Sequence, residues 1–224
     1  MERKYWWYAG FFVVLMGTFY LFLFAGNDYY KVKLPVLTYV KDFSFTDQNG
    51  KPFSEKNVEG KVYVAEYFFT TCKGICPKMN KNMKNIYEKY KDKEGFAILS
   101  HTCMPETDSI PLLKAYEMKM LGTVNNQPPN ANWYFLTGSK DSLYKMARES
   151  YLLDNEKNNS LNIAEQFIHT QFFALVDKQR RLRGIYDGLK QDELDKLSTD
   201  IGELLKETKD PQGGISSPFS NNPI

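Results

Sequence analysis

Cysteine and histidine are scarce in this chain, which contains three cysteines and two histidines among its 224 residues. Three cysteines cannot all pair within one chain, so the sequence excludes a small scaffold held together by several disulfides. Neither sign of charge dominates, because 29 basic side chains are balanced by 27 acidic ones. The formal net charge of +2 therefore favours neither nucleic acid nor an acidic molecule as the partner.

Charged side chains are absent from Tyr5–Ala25, a stretch made largely of aromatic and aliphatic residues. As a helix, the stretch would span ~32 Å, about the hydrocarbon thickness of a bilayer. A cleaved signal peptide would need small side chains before its cleavage site, and the bulky Leu23 and Phe24 do not meet that need. A buried helix of a soluble domain is the weaker alternative, because the stretch has no charged face. We therefore predict an uncleaved membrane anchor over residues 1–26.

The charges that flank the anchor do not decide its orientation, because Arg3 and Lys4 precede it while Lys31 and Lys33 follow it. A short N-terminal tail usually stays in the cytoplasm, and a large domain can cross the membrane regardless of its charge. We therefore predict that residues 28–224 lie outside the cytoplasm.

Cys72 and Cys76 lie at a predicted turn from a strand to a helix. They follow the apolar run 62–69, which is typical of a buried strand, and they precede residues 79–90, whose apolar spacing indicates a helix. Pro77 suits the first helical turn. The N-terminus of a helix favours negative charge, so we expect it to favour thiolate over thiol. Thiolate is both the nucleophile of disulfide exchange and a ligand for soft metals, and the two functions stay open at this point.

The remaining pattern predicts a hairpin, then alternating strands and helices, and then a final ββα unit. The hairpin surrounds the Asn49-Gly50 pair, a strong turn signal, within residues 43–53. Strands are predicted at 61–69, 96–100, 133–136, 171–176 and 182–186, and helices at about 77–92, 109–120, 143–151 and 194–205. Parallel strands need helical crossovers, whereas antiparallel strands do not. The order therefore predicts an α/β fold of the thioredoxin type, with a central mixed sheet flanked by helices and an N-terminal β-hairpin.

The predicted anchor is followed by a linker over residues 27–35, a globular domain over 36–208 and a tail over 209–224. The tail is rich in proline, glycine, serine and asparagine, a composition typical of disorder. Within the domain, the charged run 178–181 is predicted to form a solvated turn between two strands.

His169 favours metal binding over thiol exchange. In a thioredoxin fold, the segment before the first of the two final strands packs against the cysteine loop, and redox enzymes carry a cis-proline there. No proline occurs between Pro129 and Pro211, and His169 lies in that segment instead. Two thiolates and one imidazole form a soft three-ligand set suited to copper, whereas zinc normally takes a fourth ligand. A metal-free thiol–disulfide oxidoreductase is the alternative, because Cys72 and Cys76 serve both functions.

The cysteine motif and His169 together resemble the SCO/SenC family of copper chaperones, which assist the assembly of cytochrome c oxidase. The resemblance covers residues 36–208, and the family's Cys-x-x-x-Cys-Pro corresponds here to Cys72-Lys73-Gly74-Ile75-Cys76-Pro77. It implies one copper ion per chain, bound by Cys72, Cys76 and His169. It further implies delivery of copper to the binuclear site on oxidase subunit II, or thiol reduction of that site, by a transfer protein rather than an enzyme with turnover.

The resemblance also implies a location and one departure from the family. Copper insertion into oxidases and disulfide formation both suit the outer face of a bacterial inner membrane, so we expect a single-pass protein with a periplasmic domain. Many family members carry an acidic residue before a proline where this chain has Thr102-Cys103-Met104-Pro105. We interpret Cys103 as a small buried hydrophobe, with an auxiliary thiol as the alternative. His101 is a less favoured fourth ligand.

Overall fold

The computed structural model of the chain describes residues 3–24, 34–123, 132–154, 163, 168 and 170–207. The chain divides into two compact units, Met1–Lys33 and Leu34–Ile224. The predicted tail at 209–224, most of the predicted linker and His169 lie outside the described residues.

The described part of the first unit forms helix α1, over Arg3–Phe24. Its large apolar side chains are exposed, among them Trp6, Trp7 and Phe11. Across the described ranges, no helix combines the length and the apolar character that crossing a membrane requires.

A mixed sheet forms the centre of the second unit. In chain order, the described strands of this unit are β1 Thr38–Tyr39, β2 Ser44–Thr46, β3 Pro52–Ser54, β4 Val62–Phe68, β5 Phe96–Thr102, β6 Trp133–Leu136, β7 Phe172–Val176 and β8 Arg181–Asp187. Six of them form one sheet in the order β1-β8-β7-β4-β5-β6. Strands β4, β5 and β6 are parallel to one another, whereas β7 runs antiparallel to both of its neighbours, β4 and β8. The mixed sheet predicted from the sequence is confirmed.

Helices cover both faces of the sheet. They are α2 Cys76–Tyr90, α3 Ile110–Leu121, α4 Lys140–Glu149 and α5 Gln191–Lys206, with a short 3-10 helix at Glu55–Val58. Helices α2, α3 and α5 share one core with Val64 of β4, while α4 and the β2–β3 pair share the other core with Tyr63. Successive side chains of a strand point to opposite faces, so β4 contributes to both cores, and its whole length is buried.

The predicted hairpin forms as β2 and β3, but it is a separate two-stranded sheet. Gly50 has a φ of 75°, a conformation that favours glycine. The Asp47 carboxylate accepts the N–H groups of Asn49 and Lys51 at 2.8 Å, which closes the turn. Strand β1, whose two residues pair with β8, was not predicted from the sequence.

The charged run at 178–181 forms a turn, but Arg181 is buried within the domain. Its Nε donates a hydrogen bond to Asp177 Oδ2 at 2.7 Å, and Arg183 Nη1 donates to the same oxygen at 2.7 Å. The prediction of a solvated turn is therefore wrong for Arg181, because pairing with a buried carboxylate allows its charge to leave water.

Candidate functional site

Three free cysteines line one cavity at the carboxyl ends of β4 and β5. Cys72 follows β4, Cys76 is the first residue of α2, and Cys103 follows β5. The cavity has a volume of about 290 Å3, and Phe69 and Ile75 form part of its wall. The carboxyl ends of parallel strands are the usual place for a binding site in an α/β fold. The structure thus places Cys72 and Cys76 at the predicted strand-to-helix turn and adds Cys103 to the same cavity.

The segment Phe68–Phe69 contacts all three cysteines through its backbone. The Cys103 N–H donates to the Phe68 carbonyl at 2.9 Å, and the Cys72 N–H donates to the Phe69 carbonyl at 3.2 Å. A hydrogen bond also runs from the Phe69 backbone to the Cys76 sulfur. The segment at the end of β4 therefore lies beside all three cysteines, whose side chains line one cavity.

Helix α2 begins at Cys76 for local reasons. Pro77 occupies its first turn, where the missing N–H leaves no hydrogen bond unmade. The Met79 N–H donates to the Ile75 carbonyl at 3.0 Å, which closes that turn. Met79 and Met83 are buried against the sheet and fix the direction of the helix below Cys76.

Burial decides the protonation of the cavity thiols. Cys76 is 6% exposed and Cys103 2%, whereas Cys72 is partly exposed. Burial raises the pKa of the Cys76 thiol far above its usual range, and hydrogen bonding to Cys72 raises it further. Burial also raises the pKa of Cys103 to about 12, and the charge of Asp108 adds to the effect. The expected preference for thiolate at the start of α2 is therefore wrong for Cys76, because desolvation outweighs the helix N-terminus.

Asp108 joins the loop that carries Cys103 to the loop that carries Cys72. Its side chain is buried, and it accepts hydrogen bonds from the Thr70 and Thr102 hydroxyls, each at 2.5 Å. The Thr70 N–H donates to both carboxylate oxygens at 3.2 Å. The role of Asp108 is not predictable from the sequence, because no local pattern connects it to Thr70, which lies 38 residues earlier.

Three buried side chains are linked by hydrogen bonds on the face of the sheet that α2 covers. The Ser100 hydroxyl donates to Glu66 Oε1 at 2.6 Å and accepts a hydrogen bond from Trp133 Nε1 at 2.8 Å. Burial raises the pKa of Glu66 to about 7, so this carboxyl group holds its proton close to neutral pH. No role for Glu66 was predicted, although it is the charged residue in the apolar run 62–69 and could have been noticed there.

His101 lies in a buried aromatic cluster rather than in the cavity wall. Its ring packs against Phe45, Tyr67 and Tyr151 at centroid distances of 5.3, 5.2 and 5.5 Å. Burial lowers the pKa of His101 to about 3. Neither ring nitrogen has a hydrogen-bond partner within the described part of the chain. The described wall of the cavity does not include His101, so the alternative of a fourth ligand gains no support.

His169, the third predicted ligand, lies outside the described residues. Its sequence neighbours Ile168 and Thr170 both line the cavity. In the ranges that the structure describes, no group of three or more His, Cys, Asp or Glu side chains is placed to hold a metal ion. The assignment of Cys72, Cys76 and His169 as ligands therefore stays a prediction.

Comparison with known proteins identifies relatives over most of the chain. The SCO1/SenC family model matches residues 33–206. The SCO1 protein homolog of Bacillus subtilis (strain 168) is 29% identical over 187 residues, which cover 83% of this chain and 92% of the relative. A protein of Stutzerimonas stutzeri named for copper binding is 24% identical over 174 residues, covering 75% of this chain and 79% of that relative.

Two solved structures share the fold. The SCO1/SenC family lipoprotein from Bacillus anthracis str. Ames has a TM-score of 0.64 at 28% identity, covering 77% of this chain and 99% of that chain. BsSco, a member of the Sco family of cytochrome c oxidase assembly proteins with a disulfide switch, has a TM-score of 0.61 at 29% identity, covering 78% and 98%. The predicted thioredoxin-like fold is therefore confirmed, and the chain belongs to the SCO1/SenC family.

Proposed function

We propose that this chain is a membrane-tethered copper chaperone that serves the assembly of cytochrome c oxidase. It binds one copper ion through Cys72, Cys76 and His169 and passes the ion to the binuclear copper site of oxidase subunit II. The observation that carries the proposal is the single cavity lined by both cysteines and by the sequence neighbours of His169. Family membership supports it, as do relatives named for copper binding and for oxidase assembly.

The chemistry of the donor set suits copper as the cargo. Cu(I) prefers soft thiolate ligands, and two thiolates with one imidazole complete a three-ligand set. Ligand sulfur atoms must lose their protons, so loading releases the proton that burial holds on Cys76. Cys72 is partly exposed and Cys76 is buried, so a partner protein reaches Cys72 first. Transfer of the ion would therefore begin with exchange of the Cys72 ligand.

The redox state of the cysteine pair controls loading. A sulfur atom in a disulfide is no longer a thiolate, so oxidation of Cys72 and Cys76 to a disulfide removes both sulfur ligands at once. Copper binding and disulfide formation therefore exclude each other. The disulfide switch described for BsSco supports this part of the proposal.

A thiol–disulfide oxidoreductase that reduces partner cysteines is the second candidate. Such a protein needs one accessible nucleophile and one resolving thiol, and the partial exposure of Cys72 beside the buried Cys76 meets that need. Both candidates use the two cysteines, whereas only the copper chaperone uses His169.

Anaerobic titration of the reduced full-length chain in detergent with Cu(I) is expected to give one bound copper per chain. X-ray absorption is expected to show sulfur and nitrogen neighbours. His169→Ala is expected to lower the copper affinity at least about tenfold, since it removes the imidazole ligand. The same variant is expected to reduce a model disulfide at the rate of the unchanged chain.

The Cys76→Ser variant serves as the control, because loss of one of two thiolates should abolish tight binding. A reduced chain that takes up no copper would contradict the chaperone function. Full copper affinity in His169→Ala would contradict the ligand assignment and favour the oxidoreductase.

We further propose that the stretch Tyr5–Ala25 tethers the chain to a bacterial inner membrane in a single pass, with the domain on the periplasmic side, although helix α1 as described falls short of the apolar character of a membrane span. The exposed aromatic and aliphatic side chains of α1 support this, as does the absence of charge from Tyr5–Ala25. Trp6 and Trp7 suit the membrane–water interface at one end of the stretch.

Protease added to intact spheroplasts is expected to digest residues 28–224, because they lie outside the membrane barrier. A cytoplasmic marker protein should remain intact in the same sample, which shows that the barrier is sealed. Protection of the domain would contradict the topology. Release of the uncut chain from membranes by alkaline extraction would contradict the tether.

A further inference from the structure

The cavity holds one thiol more than the proposed copper site uses. We propose that Cys103 is a third redox thiol of this cavity, which forms a disulfide with Cys72 as an alternative to Cys76. The chain would then have two oxidised forms, one with a Cys72–Cys76 disulfide and one with a Cys72–Cys103 disulfide. This inference does not depend on copper binding, since it concerns the exchange of sulfur–sulfur bonds among three cysteines.

The backbone brings Cys103 to the same place as Cys72. In the parallel pairing of β4 and β5, Phe68 is opposite Thr102, so Cys103 continues β5 beside the start of the cysteine loop. The Cys103 N–H then bonds to the Phe68 carbonyl, while the Cys72 N–H bonds to the next carbonyl, that of Phe69. Both cysteine backbones are thus hydrogen-bonded to the short segment at the end of β4.

Side-chain contacts hold the two loops in this arrangement. The buried carboxylate of Asp108 accepts hydrogen bonds from Thr70, two residues before Cys72, and from Thr102, directly before Cys103. The Tyr144 hydroxyl donates to the Cys103 carbonyl at 2.9 Å. These contacts hold Cys103 where its side chain packs at the edge of the core and also lines the cavity.

The exposure of each thiol indicates its role in the disulfide exchange. Cys72 is partly exposed and is the thiol that an incoming disulfide reaches, whereas Cys76 and Cys103 are both buried at the cavity wall. All three thiols line the same cavity, and Cys72 is the member that both proposed disulfides share.

The exchange needs a disulfide, R–S–S–R, as the oxidant. The Cys72 sulfur attacks one sulfur of R–S–S–R, so the mixed disulfide Cys72–S–S–R forms, the S–S bond of the oxidant breaks, and one RSH leaves with the Cys72 proton. The Cys103 sulfur then attacks the Cys72 sulfur, so a disulfide forms between Cys72 and Cys103, the S–S bond of the mixed disulfide breaks, and a second RSH leaves with the Cys103 proton. Two protein thiols are oxidised to one disulfide, and one R–S–S–R is reduced to two RSH.

The test uses full-length variants in detergent with oxidised glutathione as the probe. Cys76→Ser leaves Cys72 and Cys103, and the matched control, Cys76→Ser with Cys103→Ser, leaves Cys72 alone. In Cys76→Ser, the glutathione adduct on Cys72 is expected to disappear at least about tenfold faster than in the control, because the resolving thiol is held next to it. Peptide mapping is expected to find Cys72 linked to Cys103.

The proposal is overturned if the adduct has the same lifetime in both variants and Cys103 reacts with an alkylating agent after denaturation. Cys76→Ala is measured in parallel, and circular dichroism with urea denaturation identifies folded variants, so that a folding defect of one substitution does not decide the result. Copper affinity plays no part in these readouts. Failure of this inference is therefore distinguishable from failure of the chaperone function.

Discussion

Replacing Asp108 with alanine is expected to lower the free energy of unfolding by about 3 kcal/mol. The buried carboxylate accepts hydrogen bonds from the Thr70 N–H and from the Thr70 and Thr102 hydroxyls. A hydrogen bond to a charged group contributes about 1.5–3 kcal/mol, and truncation leaves these donors without their acceptor. Thr70 is only partly buried, so water replaces part of the loss, and the expected effect lies below the sum of the separate bonds.

Urea denaturation of the reduced chain measures this effect. Asp108→Asn is the matched variant, because it preserves the shape of the side chain and one acceptor oxygen, and we expect it to lose less stability than the alanine variant. Alkylation of Cys103 under native conditions is expected to accelerate in Asp108→Ala, since the loop that buries its thiol is released. A change below about 0.5 kcal/mol, the scale of a neutral surface substitution, would show that Asp108 does not join the loops.

Hydrophobic patterning predicted the order of the elements because the buried strands are continuous in sequence. The apolar runs at 61–69 and 96–100 became β4 and β5, and the helical spacing after Cys76 became α2. Strand β1 was missed because it has two residues and is defined by its pairing with β8, far along the chain. Local periodicity carries no information about such a distant partner.

In the candidate site, too, features set by residues close in sequence were predictable, and features set by residues far apart in sequence were not. The spacing of Cys72 and Cys76 at a strand-to-helix turn was visible in the sequence, and the structure places both at one cavity. The protonation of Cys76 was not visible, because it depends on how deeply the packed domain buries the sulfur. Cys103 reaches the cavity through the pairing of β4 with β5, which sequence spacing alone does not specify.

Glu66 is expected to make the stability of the domain fall as the pH rises. It is fully buried on β4, and its Oε1 accepts the Ser100 hydroxyl, while Oε2 has no partner among the described residues. No basic side chain forms an ion pair with it in the described ranges, so ionisation would leave a buried charge unpaired. Burial accordingly raises the pKa of Glu66 from 4.5 to about 7.

The raised pKa of Glu66 sets the direction in which the stability of the domain changes with pH. The unfolded chain releases the Glu66 proton near pH 4.5, whereas the folded chain keeps it until about pH 7. Between these values the folded state binds more protons, so this group stabilises it fully at low pH and loses that contribution as the pH rises through 7. Each pKa unit corresponds to about 1.4 kcal/mol, which gives a total loss of about 3 kcal/mol.

Glu66→Gln tests this prediction, because it removes the titrating group and retains an acceptor oxygen for Ser100. The quantity to measure is the free energy of unfolding of the variant minus that of the unchanged chain, by urea denaturation at several pH values. That difference is expected to rise by about 3 kcal/mol, in favour of the variant, between pH 4 and pH 8. Glu94→Gln, at an exposed carboxylate, is the control and should give a difference that does not vary with pH. A flat profile for Glu66→Gln as well would mean that the folded domain does not hold the Glu66 proton more tightly than the unfolded chain does.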